Sequence, residues 1–523
     1  MAWNHGYYSH GTYTKQFYRE LAPNWIDFAL LIRGHEPPRP TEGSPFRYLE
    51  LGSGMGLGLC LLAAAYPEGT FLGVDFLPAH IAHSNWLANE LGLENIRFLE
   101  ADFLALAEDP APIDVRPGVD LYDYVAAHGI ATWVTQPVQK ALLTVAAAAL
   151  RPAGVFYCSY NTYPGWLERS AFRALALLEL DRTDRHRPDL AYRTASDQLR
   201  VMMGSSEAPM PLARAFPGLG ASLDVIDQQP ANYLCQEFAN EGWQPLYVAE
   251  MHQRCADHAL EPAGSATLAD LFEQLMAEPM RSLVLAESDP VIRQTLIDLA
   301  TNKSFRRDLF VRGPLPLSPQ RRQMRLAALQ VRLQEPTSTD TYKFNSDFGE
   351  LTADPVNCAA LEAVLVAGPK SLGELFAATT TDVEELVLLV ALLLSANRLG
   401  LDRGEAGRKA LEGAQRINLK LMELMAEGAG YTQLVAPAIG SGVGFNLLQS
   451  LIRTALAQGL ETDNLIACVL FALSEIGAEL RGPQNELVSE ANEQVEVLRG
   501  MAETLARERL PLLRSLGVFA SGA

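Results

Sequence analysis

At 523 residues the chain exceeds what one hydrophobic core holds, so three or more packed units are expected, and 48% apolar with 20% charged residues excludes a disordered chain. A net charge of −20 sets most of the surface against nucleic-acid phosphates and favours a basic protein or cationic partner. Cys60, Cys158, Cys235, Cys255, Cys358 and Cys468 form no C-x-x-C pair, which argues against a zinc ribbon, a redox dithiol or a disulfide framework.

The N-terminal stretch MAWNHGYYSHGTYTKQFYREL lacks the basic end and apolar core of a signal peptide, so a reducing cytoplasm is the expected location. No aliphatic run reaches the roughly 20 residues of a bilayer span. From 46 to 160, short β-rich runs alternate with helical ones. FRYLELG, TFLGVDF, NIRFLEADF, LYDYVAAHGI and GVFYCSYNTY read as strands; GLGLCLLAAAYP, PAHIAHSNWLANELGL and QPVQKALLTVAAAALRP read as helices. This order predicts right-handed βαβ crossovers and a mostly parallel, Rossmann-like sheet in an α/β fold.

LERSAFRALALLELD and LAYRTASDQLRVMM then read as helices of a packing element. Pro-rich punctuation, APMPLARAFPGLG, precedes a mixed second domain that ends near RRDLFVRGPLPLSP. After the linker EPTSTDTYKFNSD come three helices and a short extended piece, a winged-helix-like outline. Asp382, Glu384 and Glu385 open its third helix, where a DNA reader needs neutral or basic groups, so a structural or protein-contact role is expected. The tail from Asp463 reads as two or three amphipathic helices.

The chemistry gathers at RYLELGSGMGLGLCLL, residues 47–62. Strand, glycines and helix place backbone N–H groups at the carboxyl edge of the sheet. No Lys-Ser or Lys-Thr follows, which excludes a P-loop, and both registers of G-x-G-x-x-G fail at Leu57 and Leu59. What remains is Glu50 followed by Gly52, Gly54 and Gly56. An acid at the end of the first strand suits a cationic amino group and repels a pyrophosphate; S-adenosylmethionine carries that ammonium. Asp75 lies about 20 residues beyond the loop, the distance at which a carboxylate reaches ribose hydroxyls, with Phe76 beside it. Asp102 ends the third strand, placed to accept from an adenine amino group, and Phe103 is placed to cover the ring.

Over 46–160 this pattern resembles class I S-adenosylmethionine-dependent methyltransferases. AHGIATWV (127–134), SYNTYPGW (159–166), NYLCQEFANEGWQPLYVAEM (232–251) and FRRDLFVRG (305–313) extend the likeness. They resemble bacterial methyltransferases that carry a methyltransferase regulatory domain, a group that includes rickettsial protein lysine methyltransferases. The resemblance implies S-adenosyl-L-methionine as cofactor and protein lysine side chains as acceptor. Two alternatives stay open: a small-molecule N- or O-methyltransferase, and a non-catalytic sensor or scaffold that binds the cofactor.

Residues at the ends of strands four and five face the methyl group in this architecture. His128 is a candidate cofactor contact and either a general base or a loop-shaping residue bonded to backbone. Trp133 and Tyr163 either line a lysine channel by cation–π contact or pack as a lid. Asn161 either accepts from the acceptor nitrogen or caps the turn completed by Pro164-Gly165. Among the N-terminal aromatics Tyr7, Tyr8, Tyr13 and Tyr18, Tyr13 is the candidate contact to cofactor or substrate. Ala126-Ala127-His128-Gly129 stands where amino-methylating nucleic-acid and glutamine enzymes carry two prolines and an aromatic. His80 and His83 lack a third metal ligand, so a solvated helix face is expected and no metal.

The expected organisation is an N-terminal segment over the cofactor (1–45), the cofactor-binding domain (46–166), a helical linker (167–225), a regulatory domain (226–315) and a helical, winged-helix-like C-terminal region (340–523). The partners expected are a protein or small-molecule methyl acceptor, without nucleic acid or a membrane span, and a homodimer mate stays open.

Overall fold

The computed structural model describes residues 3–11, 15–183, 187–335, 342–379, 382–482 and 486–520. Helix α1 (Pro23–Ile32) comes first, with proline in its first turn and all of its residues buried. Its run PNWIDFALLI buries Asn24 and Asp27 together with its apolar side chains, Asn24 donating to Ile439 O at 2.9 Å and Asp27 accepting from Arg39 at 2.8 Å. A helix buried on every side, its polar residues included, shows no solvent-facing period in the sequence, and α1 was not expected there.

β1 (Phe46–Leu51), β2 (Gly69–Asp75), β3 (Ile96–Glu100), β4 (Tyr122–Ala127) and β5 (Leu150–Asn161) pair in parallel in the order β3-β2-β1-β4-β5. The connections are α2 (Leu57–Ala65), α3 (Pro78–Glu90), the short α4 (Phe103–Glu108) and α5 (Gln136–Ala149). Strand order reverses between β1 and β4, which opens the crevice where such sheets bind ligands.

The sheet does not stop at the five expected strands. β6 (Glu261–Ser265) and β7 (Phe305–Val311) extend it antiparallel, β7 beside β5 and β6 at the edge. The mixed region read as a second domain therefore gives two strands to the first. Buried charge hides β7 from a hydrophobic reading: Arg306 Nε donates to Asp308 Oδ2 at 2.9 Å, and the Tyr160 hydroxyl donates to the same oxygen at 2.6 Å.

Helices α6 (Arg169–Arg182) and α7 (Pro188–Met203) follow β5 and pack on each other. Within the expected linker, 336–341 lies outside the described residues, and Lys343–Ser346 pairs with Gly349–Thr352 as a hairpin. Pro355–Leu365, Leu372–Ala378 and Val383–Ser395 surround a small sheet of Gln330–Leu333, Lys370–Ser371 and Leu399–Asp402, in keeping with the winged-helix-like outline. The third helix is no free reading head. Asp382 caps it, Arg322 Nη2 donates to Glu384 Oε2 at 3.0 Å, and most of its length is buried.

One continuous core joins α1, α2 and the helices of the C-terminal region. Arg403 is the fastener. Its buried guanidinium lies 3.8 Å from the Tyr66 ring centroid, donates to Glu42 Oε1 at 2.7 Å and reaches the carbonyl of Ala65 at the end of α2.

Candidate active site

The glycine loop between β1 and α2 turns on Gly52, Gly54 and Gly56 at φ of 80°, 54° and 75°, a backbone that side-chain-bearing residues rarely adopt. A Cβ on Gly52 would stand 2.5 Å from Ile130 and one on Gly56 2.5 Å from Ser84, whereas over Gly54 nothing lies within 4 Å. The loop is tied to the next strand: Gly54 N–H donates to Asp75 Oδ2 and Leu77 N–H to Asp75 Oδ1, each at 2.9 Å.

Glu50 is 8% exposed, and among the described residues its carboxylate has no hydrogen-bond or ion-pair partner. Burial, and then the neighbouring Asp75 charge, push its pKa up to about 8. A buried acid near the carboxyl end of β1 is suited to receive a cation, since a positive group offsets what burial costs the carboxylate.

Asp75, Phe76, Asp102 and Phe103 line a cleft of about 570 Å³ above the carboxyl ends of β2 and β3, and the N-terminal residues His5 and Tyr7 close it. Trp3 and Tyr7 pack on Phe76 with ring centroids 5.9 and 5.5 Å away. Asp102 Oδ1 accepts Leu104 N–H at 2.8 Å, while Oδ2 lies 2.5 Å from His5 Nε2. Tyr13 lies outside the described residues.

The expected solvated face of α3 is instead turned inward. His80 is buried with Nδ1 3.3 Å from Asp75 Oδ1, and His83 Nδ1 lies 2.7 Å from the carbonyl of Met55. The period of α3 carried no sign of this, because His80 meets Asp75 at the end of β2 and His83 meets Tyr431 of the C-terminal region.

A second cleft, of about 950 Å³, opens at the ends of β4 and β5. Tyr18, His128, Trp133, Tyr233 and Phe305 form aromatic walls, and Asn161 and Glu237 lie deeper. His128 is held by side chains of β5 rather than by backbone: Nδ1 is 2.9 Å from the Tyr157 hydroxyl and 3.2 Å from Ser159 Oγ, and Tyr18 lies over the ring at 3.9 Å. Burial, and then Arg307, push His128 down to about 3. The imidazole is neutral across the physiological range, and the same desolvation makes it a weak proton acceptor.

Asn161 does not cap the turn before Pro164. Its amide donates to Glu237 Oε1 at 2.9 Å, because β5 continues through Asn161 and aims the side chain at the helix Ala231–Phe238. Burial raises the Glu237 pKa against the opposing pull of Asn161, Arg169 and the Trp133 indole. Tyr163 is not among the residues lining this cleft; it packs on Tyr247 at 5.3 Å. Glu237, Tyr18 and Tyr233 were missed as site residues. The string NYLCQEFANEGW contains Glu237, yet 76 residues separate it from Asn161 and no local spacing joins them.

A reversing parallel sheet, a glycine loop clasped to the second strand and a buried acid near the end of β1 mark an S-adenosylmethionine-dependent methyltransferase domain. The family model described as a methyltransferase domain matches residues 43–183, and that of a predicted methyltransferase regulatory domain matches 230–312. An uncharacterized protein of Synechocystis sp. is 28% identical over 99% of this chain and 100% of its own length. An uncharacterized protein of Rickettsia prowazekii is 24% identical over 60% of this chain and 54% of its own. PKMT2 from Rickettsia typhi in complex with AdoHcy superposes with a TM-score of 0.68, covering 96% of this chain and 99% of that one at 16% identity, a likeness of fold.

Proposed function

We propose that the protein methylates lysine side chains of a protein partner. The observation that carries this reading is the buried Glu237 carboxylate, oriented by Asn161 inside an aromatic-walled cleft on the acceptor side of the sheet. Aromatic faces and a desolvated carboxylate together recognise an ammonium, and the narrow apolar stem of lysine suits such walls. The sequence resemblance to bacterial protein lysine methyltransferases points the same way.

S-adenosylmethionine supplies, when bound, an electrophilic methyl group on a cationic sulfonium. The residues present fit that cofactor: Glu50 would pair with its amino group, Gly54 leaves room for close approach, Asp75 would accept from the ribose and Asp102 from the adenine, with Phe76 and Phe103 against the ring. Asp102 is now engaged by His5, so His5 would shift or share that oxygen. On the acceptor side, Glu237 would take a proton from the lysine ammonium, leaving the nitrogen lone pair free to accept the methyl group, and would pass that proton to solvent. Neutral His128, stacked under Tyr18, shapes the wall and excludes water.

A second reading rests on Arg169 and Arg307, which line the same cleft and each carry a buried Nε without a hydrogen-bond partner. Two guanidiniums favour a small carboxylate acceptor. Incubation with methyl-labelled cofactor and lysate separates the readings. Alkali-stable label on lysine by mass spectrometry supports ours, and its loss in Glu237→Gln ties it to this cleft. Alkali-labile label or label confined to metabolites supports the carboxylate. No label at all supports a cofactor-binding sensor or scaffold.

A further inference from the structure

We propose that the C-terminal region holds the glycine loop in its cofactor-binding shape through Tyr431 and His83, and that His83 is a positioning residue for cofactor binding. The inference rests on reading the loop as part of the cofactor site. Two successive loop carbonyls face α3: His83 Nδ1 lies 2.7 Å from Met55 O, and the Ser84 hydroxyl, whose one proton is shared between two acceptors, lies 3.1 Å from Gly54 O and 2.8 Å from His80 O. A carbonyl only accepts, so Nδ1 carries the imidazole proton. Nε2 of the neutral ring then has a lone pair, and the Tyr431 hydroxyl donates to it at 3.0 Å.

Tyr431 belongs to the C-terminal region and is 2% exposed. It is fixed in turn: Lys15 Nζ sits 5.1 Å from its ring centroid and donates to Ala429 O at 2.9 Å. The hairpin that follows, Gln433–Ala436 with Ser441–Gly444, packs on α2, the helix that continues the loop. The chain of contacts runs from the C-terminal hairpin through one tyrosine and one tautomer-fixed histidine to the residue between Gly54 and Gly56. Burial lowers the His83 pKa, consistent with the neutral ring this geometry needs.

The test measures S-adenosylmethionine affinity by calorimetry, KM and kcat, and thermal unfolding without cofactor, on the full chain. His83→Leu removes both bonds and should raise Kd and KM about tenfold with kcat at saturation nearly unchanged. His83→Asn, whose amide nitrogen falls near the place of Nδ1, should restore most of that affinity. Tyr431→Phe should weaken binding about threefold, and in the His83→Asn background it should add nothing. Gly54→Val serves as the control that fills the loop's open space. If Gly54→Val loses binding while His83→Leu and Tyr431→Phe bind as wild type, the positioning role is wrong and the loop reading stands. If Gly54→Val binds as wild type, the loop reading itself fails. Additive losses from Tyr431→Phe and His83→Asn would also overturn the relay, and these two milder changes keep the test decisive if His83→Leu does not fold.

Discussion

The Gly54 N–H donates to the Asp75 carboxylate at 2.9 Å, so β1 and β2 share one clasp at the carboxyl edge of the sheet. Asp75 therefore does two things in the proposed site: it shapes the loop and offers lone pairs to a ribose. Asp75→Ala removes both, and calorimetry should find S-adenosylmethionine binding weakened by about 10- to 100-fold, the worth of a charge-assisted hydrogen bond of ~1.5–3 kcal/mol. Asp75→Asn keeps an acceptor oxygen and should fall between. Wild-type affinity in the alanine variant would remove Asp75 from the site.

Glu50 supplies a proton signature. Its pKa of about 8 in the folded protein exceeds the ordinary 4.5, so at pH 7 it is protonated until a cation arrives. Pairing with the cofactor's ammonium would lower that pKa and expel the proton. Calorimetry in buffers of different ionisation enthalpy should show close to one proton released per cofactor at pH 7, turning to uptake well above pH 8, where the cofactor's own amine (ordinary value about 8) must be protonated to pair, and Glu50→Gln should lose the release at pH 7. Linkage adds a second expectation for the ligand-free protein. The folded state holds this proton between about pH 4.5 and 8 while the unfolded chain releases it, so stability falls as pH rises through that window. Glu50→Gln should flatten that decline while weakening cofactor binding.

The roles of Glu237 and His128 separate in a pH profile. Glu237 sits above the ordinary carboxylate value and must be ionised to take a proton, so kcat should fall as pH drops through a value higher than 4.5. His128, pushed down to about 3, does not titrate in that range. His128→Asn should therefore keep the acid limb where it is. Glu237→Gln should abolish the limb and lower kcat about 100-fold with cofactor affinity intact. An acid limb that moves with His128→Asn would transfer the base role to the histidine.

Much of the cofactor half was legible because its signals are local. β1 to β5 alternate with α2, α3 and α5 at readable periods, and a reversing parallel sheet puts strand-end residues such as Glu50, Asp75 and Asp102 along one crevice. The acceptor half depends on pairs far apart in sequence. Asn161 meets Glu237, Tyr18 covers His128, and Tyr163 turns away because Tyr247 offers it a partner. β6 reads EPAGS, poor in strand formers, and is a strand because β7 lies beside it. His83 looked solvated on the wheel of α3 because Tyr431 lies hundreds of residues downstream.

Glu42 joins two buried guanidiniums, accepting from Arg39 Nη2 at 3.0 Å and from Arg403 Nε at 2.7 Å. Burial alone would raise its pKa, but Arg39 and Arg403 hold it below the ordinary value, so its contribution is present above about pH 4.5 and fades as pH falls through the lowered folded value. Glu42→Gln should take one of two carboxylate partners from each arginine, leaving Asp27 to Arg39 and Glu68 to Arg403. Because the Glu42 side chain is 29% exposed, the cost should be roughly 1–3 kcal/mol, less than for a fully buried pair. Arg39 stays paired with Asp27 at 2.8 Å and Arg403 with Glu68, but of the two only Arg403 ties the C-terminal region to Glu42 and to the end of α2. Hydrogen exchange should therefore quicken at Leu399–Asp402 and α2 before it does at β1 and β4. Uniform protection in Glu42→Gln would mean that apolar packing of the shared core, rather than this ion network, fastens the C-terminal region to the cofactor sheet.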